Sequence, residues 1–304
     1  NAIASKYPII MGLKENPVYG QILNNLFYLN LIVSKIDDKT EIENINSFRS
    51  YIWTEIICLG KNNTYPSIKP TEIRQTIEFI VLERAKRFSS GVLADELDTR
   101  IVSILESNGV IVRNSNKIRL KYDIFEDICF ERLIDNKFDL CKGQYDDFFT
   151  IIEDFGRCVY RRYQIWVENK LFSRSDRNKF LYNLLYTDSI SNKWKDQTII
   201  GILKSDSCKA LFSEYADIIE GELLNRFLKL ENLYVFNTKI QQIPYNNNFA
   251  ILSPIGIGRE CLISLLFSTY KYKNDDYKDE TIKICVDYSK IGQFDSVIAQ
   301  YACE

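Results

Sequence analysis

The chain has 304 residues, a formal charge of −2 and 46% hydrophobic residues, which suits two domains or one domain followed by helical repeats. The nearly balanced charge argues against a dedicated nucleic-acid binder, and the sequence contains no histidine. Without histidine the chain cannot form a Ser-His-Asp or Cys-His nucleophile system or a histidine-ligated zinc site. Carboxylate or lysine chemistry remains open, but no pattern in the sequence locates it. We therefore expect no catalytic residue and no metal site in this chain, which we interpret as non-enzymatic.

The eight cysteines form no C-x-x-C pair, and most stand in apolar stretches such as Ile57-Cys58-Leu59. This pattern is typical of reduced core thiols in a cytoplasmic protein. No apolar run reaches the roughly 18 residues of a transmembrane helix, so we expect no membrane contact. Because the sequence begins at Asn1, without an initiator methionine or a signal peptide, we expect a segment of a longer chain.

The low content of glycine and proline (12 and 6 residues) favours long helices over a strand-and-turn architecture. Apolar positions between Asn16 and Ile36 fit a nearly buried helix, and others repeat at helical spacing from Phe48 to Leu59. These patterns predict a helical domain over residues 1–65.

Residues 66–136 carry the most informative pattern. The predicted elements come in the order helix, helix, strand, strand and helix: from Thr71, about Leu93–Asn108, Val110–Arg113, Lys117–Leu120 and Asp123–Asp135. The two strands flank Asn114-Ser115-Asn116, which is a hairpin signal. Two helices followed by a hairpin are the sequence pattern of a winged helix.

From residue 137 to residue 304 we predict an α-helical repeat-like array in which short polar breaks separate the helices. The predicted helices are about Tyr145–Leu171, Arg177–Leu185, Lys195–Leu203, Cys208–Ile219, Glu222–Leu230, Arg259–Tyr270 and a last one from Lys278. A longer break is predicted at Asn237–Phe249, which contains Pro244. No repeat period is regular enough to name a repeat family.

Three segments resemble elements of the STAND NTPases, multidomain signal-transduction ATPases that include bacterial antiviral members. Asn25-Leu26-Phe27-Tyr28-Leu29 resembles the N-P-F-x-L element that opens the family's helical domain, with Leu26 in place of the proline. Residues 102–111 resemble the recognition helix and first wing strand. Residues 119–127 resemble the F-x-H-D-x-x-x-D element after the wing, and the three segments occur in the family's order.

In this family a nucleotide-binding domain precedes a helical domain, a winged helix and ligand-sensing helical repeats. The resemblance implies that ATP or ADP with Mg²⁺ binds to a domain of the full-length protein outside this chain, and that the chain itself holds no cofactor. It also implies that Tyr122 and Asp123 contact the nucleotide, since Tyr122 stands where the family has a phosphate-facing histidine. A tyrosine can donate a hydrogen bond to phosphate but carries no positive charge at neutral pH.

Two other segments have both a chemical and a structural interpretation. Asp123, Glu126 and Asp127 could act in acid–base chemistry or bind a cation, but they also suit the first turn of a helix, which we favour. The stretch Ser253–Glu260 opens a predicted helix, whose N-terminus could bind an anion. It lacks the Gly-Lys-Ser/Thr ending of a phosphate-binding loop, so we favour a turn and a helix start.

Four residues of the predicted helix over 145–171 are candidates for binding a partner: Arg157, Arg161, Arg162 and Trp166. Interleaved arginine and aromatic side chains can stack on a partner, and the alternative is a charged helix face packed on its neighbours. The second winged-helix helix carries four carboxylates against one arginine: Asp95, Glu96, Asp98 and Glu106. Such a face repels phosphates, so we expect no nucleic-acid partner.

Together these patterns predict a mainly α fold, with a helical domain, a winged helix with a small β-hairpin, and a helical array. The resemblance implies a regulatory and ligand-sensing segment of a STAND-like ATPase in bacterial antiviral defence. Its partners would be a protein ligand at the C-terminal helices and the nucleotide-binding domain of the same protein. The alternative is a stand-alone winged-helix scaffold or a transcription-related interaction protein.

The absence of a phosphate-binding loop from the sequence generates the first prediction. We expect the purified chain neither to hydrolyse ATP nor to bind it tightly, because the glycine-rich cradle and its lysine are missing. Phosphate release and equilibrium binding of a fluorescent ATP analogue measure the two properties. Turnover that a point substitution within the chain abolishes would contradict this expectation.

Overall fold

The computed structural model describes residues 27–28, 31, 45–60, 68–171, 174–205, 208–215, 219, 221–231, 237–243, 246–255, 258, 260–262, 264–266, 278–279 and 282. By their contacts the residues fall into two compact units: Asn1–Lys137 with Ile151–Val159, and Phe138–Thr150 with Tyr160–Glu304. The fold is mainly helical with a small antiparallel sheet, as the sequence predicted. None of the helices in these ranges combines the length and apolar character that crossing a membrane requires.

The first unit opens with helix α1 (Ile45–Tyr51), which continues as a π-helical turn over Ile52–Ile57. Phe48, Ile52 and Ile57 of this segment are completely buried, so the apolar spacing predicted the buried face correctly. The predicted helix over Asn16–Ile36 lies mostly outside the described residues, of which Phe27, Tyr28 and Leu31 are helical.

Helix α2 (Pro70–Arg87) has a capped first turn, and the residue that follows its last turn has a left-handed backbone conformation. The Lys69 backbone N–H donates to the Glu72 carboxylate at 2.8 Å, and Pro70 occupies the first helical position, where no N–H is needed. Phe88 leaves the helix with φ 51°. Five apolar positions form a stripe at helical spacing along α2, and all are buried: Ile73, Ile77, Ile80, Val81 and Ala85.

A winged helix follows, with one strand more than the sequence predicted. After α2 come β1 (Val92–Leu93), a 3-10 turn (Ala94–Glu96), helix α3 (Thr99–Ser107), β2 (Ile111–Asn114) and β3 (Lys117–Leu120). The strands are antiparallel in the order β1-β3-β2, with Val92 opposite Ile118 and Ile111 opposite Leu120. The hairpin is therefore confirmed, and β3 is the central strand of the sheet.

The predicted start of the second helix at Leu93 is wrong, and α3 begins six residues later. The Asp98 carboxylate accepts a hydrogen bond from the Arg100 backbone N–H at 2.8 Å and so caps the helix at this point. Val92 and Leu93 pair with β3 instead. Periodicity alone could not detect this, because a two-residue strand has too few positions to show a pattern.

Helix α4 (Asp123–Cys141) contributes residues to both units and runs past the predicted end at Asp135. The predicted helix over 145–171 is divided into α5 (Tyr145–Glu153) and α6 (Val159–Asn169). Gly156 causes the division: its φ is +92°, and a Cβ there would lie 2.8 Å from the Ala85 carbonyl oxygen. Only glycine permits both this conformation and this close approach to the end of α2.

The second unit contains α7 (Arg177–Tyr186), α8 (Asn192–Lys204), α9 (Cys208–Tyr215) and α10 (Gly221–Leu230), each within a few residues of its predicted bounds. Its core is rich in buried aromatic side chains: Phe138, Phe148, Phe149, Tyr163, Trp166, Phe180 and Trp194. The described residues of the predicted break at Asn237–Phe249 are not helical, as expected. They form an antiparallel pair of strands that the sequence did not predict, β4 (Asn237–Ile243) and β5 (Asn246–Ile255).

The core of the winged helix generates the second prediction. Leu105 of α3 is completely buried, so truncation in Leu105→Ala leaves a cavity and should lower the free energy of unfolding by about 2–5 kcal/mol. Ser103→Ala on the exposed face of the same helix is the control and should change it by less than about 0.5 kcal/mol. Urea denaturation followed by circular dichroism measures both variants, and equal small losses would contradict the enclosed position of Leu105.

Candidate functional site

The junction between β3 and α4 holds the two residues predicted to face a nucleotide. The Lys121 backbone N–H donates to the Val110 carbonyl at 2.9 Å, and the Phe125 N–H donates to the Tyr122 carbonyl at 3.0 Å. Asp123 is the first residue of α4 and is exposed, where a carboxylate suits the positive end of the helix. The structure thus brings Tyr122 and Asp123 to a single ordered corner of the first unit.

The Tyr122 side chain is half-buried and held by its neighbours. Its ring lies 4.8 Å from the Phe27 ring and 5.3 Å from the Phe125 ring, both in edge-to-face geometry. The Lys121 ammonium lies 5.3 Å from the centre of the same ring. These contacts fix the direction of the ring, and the lysine adds a positive charge beside it.

Two buried carboxylates of α4 hold this corner in place. The Glu131 carboxylate accepts hydrogen bonds from Arg49 of α1 at 2.8 and 3.2 Å, and the same guanidinium donates to the Tyr28 hydroxyl at 3.0 Å. The side chains of Arg49 and Glu131 are only 7% and 1% exposed. Five residues before Glu131, Glu126 forms an ion pair with Arg84 of α2.

The pKa shifts report the same buried pair. Burial lowers the pKa of Arg49, but the Glu131 carboxylate and the Tyr28 hydroxyl outweigh it, so the net pKa lies above its usual value. Burial also raises the pKa of Tyr28, against the opposing effect of Arg49. The guanidinium is therefore charged and the phenol is neutral across the physiological range.

Asp123 and Glu126, two of the three carboxylates at the start of α4, lie in different environments. Glu126 is buried and paired with Arg84, whereas Asp123 is exposed at the helix start. The structural interpretation of these carboxylates, a charged first turn, fits this arrangement. Within the described residues, no group of three or more metal-ligating side chains lies together.

The basic and aromatic residues predicted to bind a partner are only partly at the surface. Arg157 is exposed in the turn before α6 in the first unit, and Arg161 is exposed on α6 in the second. Arg162 is half-buried. Trp166 is a correction, because it has no exposed surface and belongs to the aromatic core, 5.2 Å from Phe138 and 5.7 Å from Tyr163.

Helical periodicity explains this error. Tyr163 and Trp166 are three residues apart and so lie on one face of α6. This face is buried, which raises the pKa of Tyr163. The Tyr163 hydroxyl is hydrogen-bonded to the Thr198 hydroxyl at 2.7 Å. Arg161 and Arg162 lie at other positions of the same helix. The arginine and aromatic side chains therefore do not form one mixed surface patch. The aromatic side chains form the buried face of the helix, and the arginines lie outside that face.

An exposed aromatic pair on α7 was not predicted. Tyr182 and Tyr186 are 58% and 46% exposed, and their rings lie 5.1 Å apart. They border an apolar groove in the second unit that is lined also by Leu181, Leu185, Leu211 and Phe227. The sequence contained one signal for this pair: the two tyrosines are four residues apart in a predicted helix, so their side chains lie on the same face.

Comparison with protein-family models found no match, and neither did comparison with curated proteins. The contacts of the described residues are therefore the basis for assigning a function. They point to two surfaces: the β3–α4 corner, and the outer face of α7.

The buried ion pair generates the third prediction. Glu131→Ala leaves the Arg49 guanidinium buried without its carboxylate and should lower the free energy of unfolding by about 3–5 kcal/mol. The matched control is Glu78→Ala, which removes the partner of the more exposed Arg74 on α2 and should cost about 0–1 kcal/mol. The double variant Arg49→Met/Glu131→Leu should recover part of the loss. Chemical denaturation of the three variants tests this order, and equal losses for Glu131→Ala and Glu78→Ala would contradict it.

Proposed function

We propose that this chain is a regulatory and ligand-sensing segment of a multidomain STAND-type ATPase that acts in bacterial antiviral defence. In this proposal the β3–α4 corner contacts a nucleotide-binding domain of the same protein, with ATP or ADP and Mg²⁺ bound there. The C-terminal helices recognise a protein ligand, and recognition changes the contact at the corner.

The observation that carries the proposal is the contact between Phe27 and Tyr122. Phe27 belongs to the first segment that resembles the family and Tyr122 to the third, and their rings lie 4.8 Å apart. Phe27 also lies 5.9 Å from Phe125. The two segments are far apart in sequence but in contact in the structure. This contact supports a shared role, because a change at one segment can then affect the other.

The outer face of α7 supports the second part of the proposal. Exposed aromatic side chains are enriched where proteins bind proteins, since they bury a large area at a small cost in conformational entropy. Tyr182 and Tyr186 provide such an area beside an apolar groove. Arg177 at the start of the same helix pairs with Glu214 at 2.9 Å, which fixes α7 against α9.

One observation favours the alternative of a stand-alone winged-helix or transcription-related protein. The wing carries four basic residues and no acidic one: Arg113, Lys117, Arg119 and Lys121. Such a wing suits a polyanionic partner. The complete gene separates the two functions, because a phosphate-binding loop encoded before residue 1 supports the ATPase, and its absence supports the alternative.

The fourth prediction concerns Tyr122 in the full-length protein. Tyr122→Phe keeps the ring and its contacts with Phe27 and Phe125 but removes the hydroxyl. If the hydroxyl bonds a nucleotide phosphate in the resting state, its loss should weaken that state by about 1–3 kcal/mol. Activity without ligand should then rise, and bound nucleotide should dissociate faster.

Basal ATPase activity and nucleotide retention during gel filtration measure these effects. Ser103→Ala is the control, since it removes a hydroxyl from the exposed face of α3 and should leave both properties unchanged. If Tyr122→Phe also leaves both unchanged, Tyr122 only packs at the corner and has no role in the switch.

A further inference from the structure

A pair of cysteine thiols lies inside the second unit, outside both surfaces described above. Cys208 is the first residue of α9 and has no exposed surface, and Cys261 is 9% exposed. The two thiols are close enough that each shifts the pKa of the other through a hydrogen bond between them. Both are free thiols, so no covalent bond joins them.

The backbone on both sides holds the two cysteines together. The Cys208 N–H donates to the Ser205 carbonyl at 3.0 Å, which ties the start of α9 to the end of α8. On the other side, Gly258 packs so closely on α8 that a Cβ there would overlap the Leu203 carbonyl oxygen. Leu262 and Leu266, on the same segment as Cys261, are buried. The approach of the thiols therefore results from the packing of two anchored segments.

We propose that Cys208 and Cys261 form a peroxide-sensitive dithiol that closes to a disulfide, an inference that does not depend on the proposed function. Cys261 reacts first, because it is the one of the pair with some exposed surface. The hydrogen bond donated by Cys208 holds the pKa of Cys261 below its usual value, against the opposing effects of burial and of Glu260. A lower pKa increases the fraction of thiolate, which is the nucleophile.

The chemistry balances with hydrogen peroxide as the oxidant. The Cys261 thiolate attacks one peroxide oxygen, the O–O bond breaks, and after proton transfer one water leaves and a sulfenic acid remains. The Cys208 sulfur then attacks the Cys261 sulfur, the S–S bond forms and the S–O bond breaks. The leaving hydroxyl takes the Cys208 proton and departs as a second water. The two thiols lose two electrons and two protons in total, and the peroxide is reduced to two waters.

The other described cysteines provide the contrast. Cys58 and Cys129 are both buried in the first unit, where burial raises the pKa of Cys58 to about 12 and that of Cys129 well above its usual value. Both thiols are therefore protonated, and Cys129 has no exposed surface, so they react slowly. Cys158 is exposed and serves as an internal control for access of the reagent.

The test is peptide mapping of the purified full chain treated with hydrogen peroxide, alkylated and digested without reduction. We expect one linked peptide pair that joins Cys208 to Cys261, lighter than the sum of its parts by two hydrogens and separated by dithiothreitol. Cys208→Ser and Cys261→Ser should each abolish the linked pair, and Cys158→Ser should leave its yield unchanged.

Three results of this experiment would contradict the proposal, and each can be observed with the wild-type chain, without any variant. The two cysteines could stay unlinked while Cys158 is oxidised. Cys261 could accumulate as sulfinic acid without a linked product. Linkage could also spread over several cysteine pairs with no preference for this one.

Discussion

The pairing of buried carboxylates on α4 with arginines from two neighbouring helices sets the architecture of the first unit. A carboxylate removed from water costs several kcal/mol unless a partner compensates it, and Glu131 is almost completely buried. Arg49 therefore has to lie beside Glu131, and this requirement determines where α1 packs on α4. Glu126 imposes the same condition on α2 through Arg84. The two ion pairs thus place a geometric condition on α4 that apolar contacts, which have no direction, do not.

The β3–α4 corner depends on this selection. Tyr122 immediately precedes α4, and its ring packs on Phe125, which stands one residue before Glu126. Tyr28 accepts a hydrogen bond from Arg49, and the adjacent Phe27 contacts the Tyr122 ring. The residues that make the aromatic contacts are thus next in sequence to residues that make the buried polar contacts. Within the proposed function, a displacement of Tyr122 would therefore move Phe27 and Phe125, and with them the adjacent buried hydrogen-bonded groups.

The sequence was a good guide wherever a local pattern determines the structure. The stripe of α2, the hairpin of β2 and β3, and most helices of the second unit follow from periodicity and turn residues. Errors occurred where distant residues decide: β1 exists because β3 is beside it, and the division between α5 and α6 exists because Gly156 meets Ala85. The Arg49–Glu131 pair spans 82 positions, so no local pattern reveals it. Trp166 was misassigned because composition does not distinguish the two faces of a helix.

The order of strands in the winged helix constrains how this module can be approached by another polypeptide. β3 is the central strand, so the sheet has only β1 and β2 at its edges. β1 is two residues long, and β2 is four residues long with the charged Arg113 within it. Short, charged edges offer few free N–H and C=O groups to a foreign strand, which is how many proteins avoid uncontrolled association. Recognition at this module is thus a matter of side chains on helices and loops, and extending its sheet by β-augmentation is disfavoured.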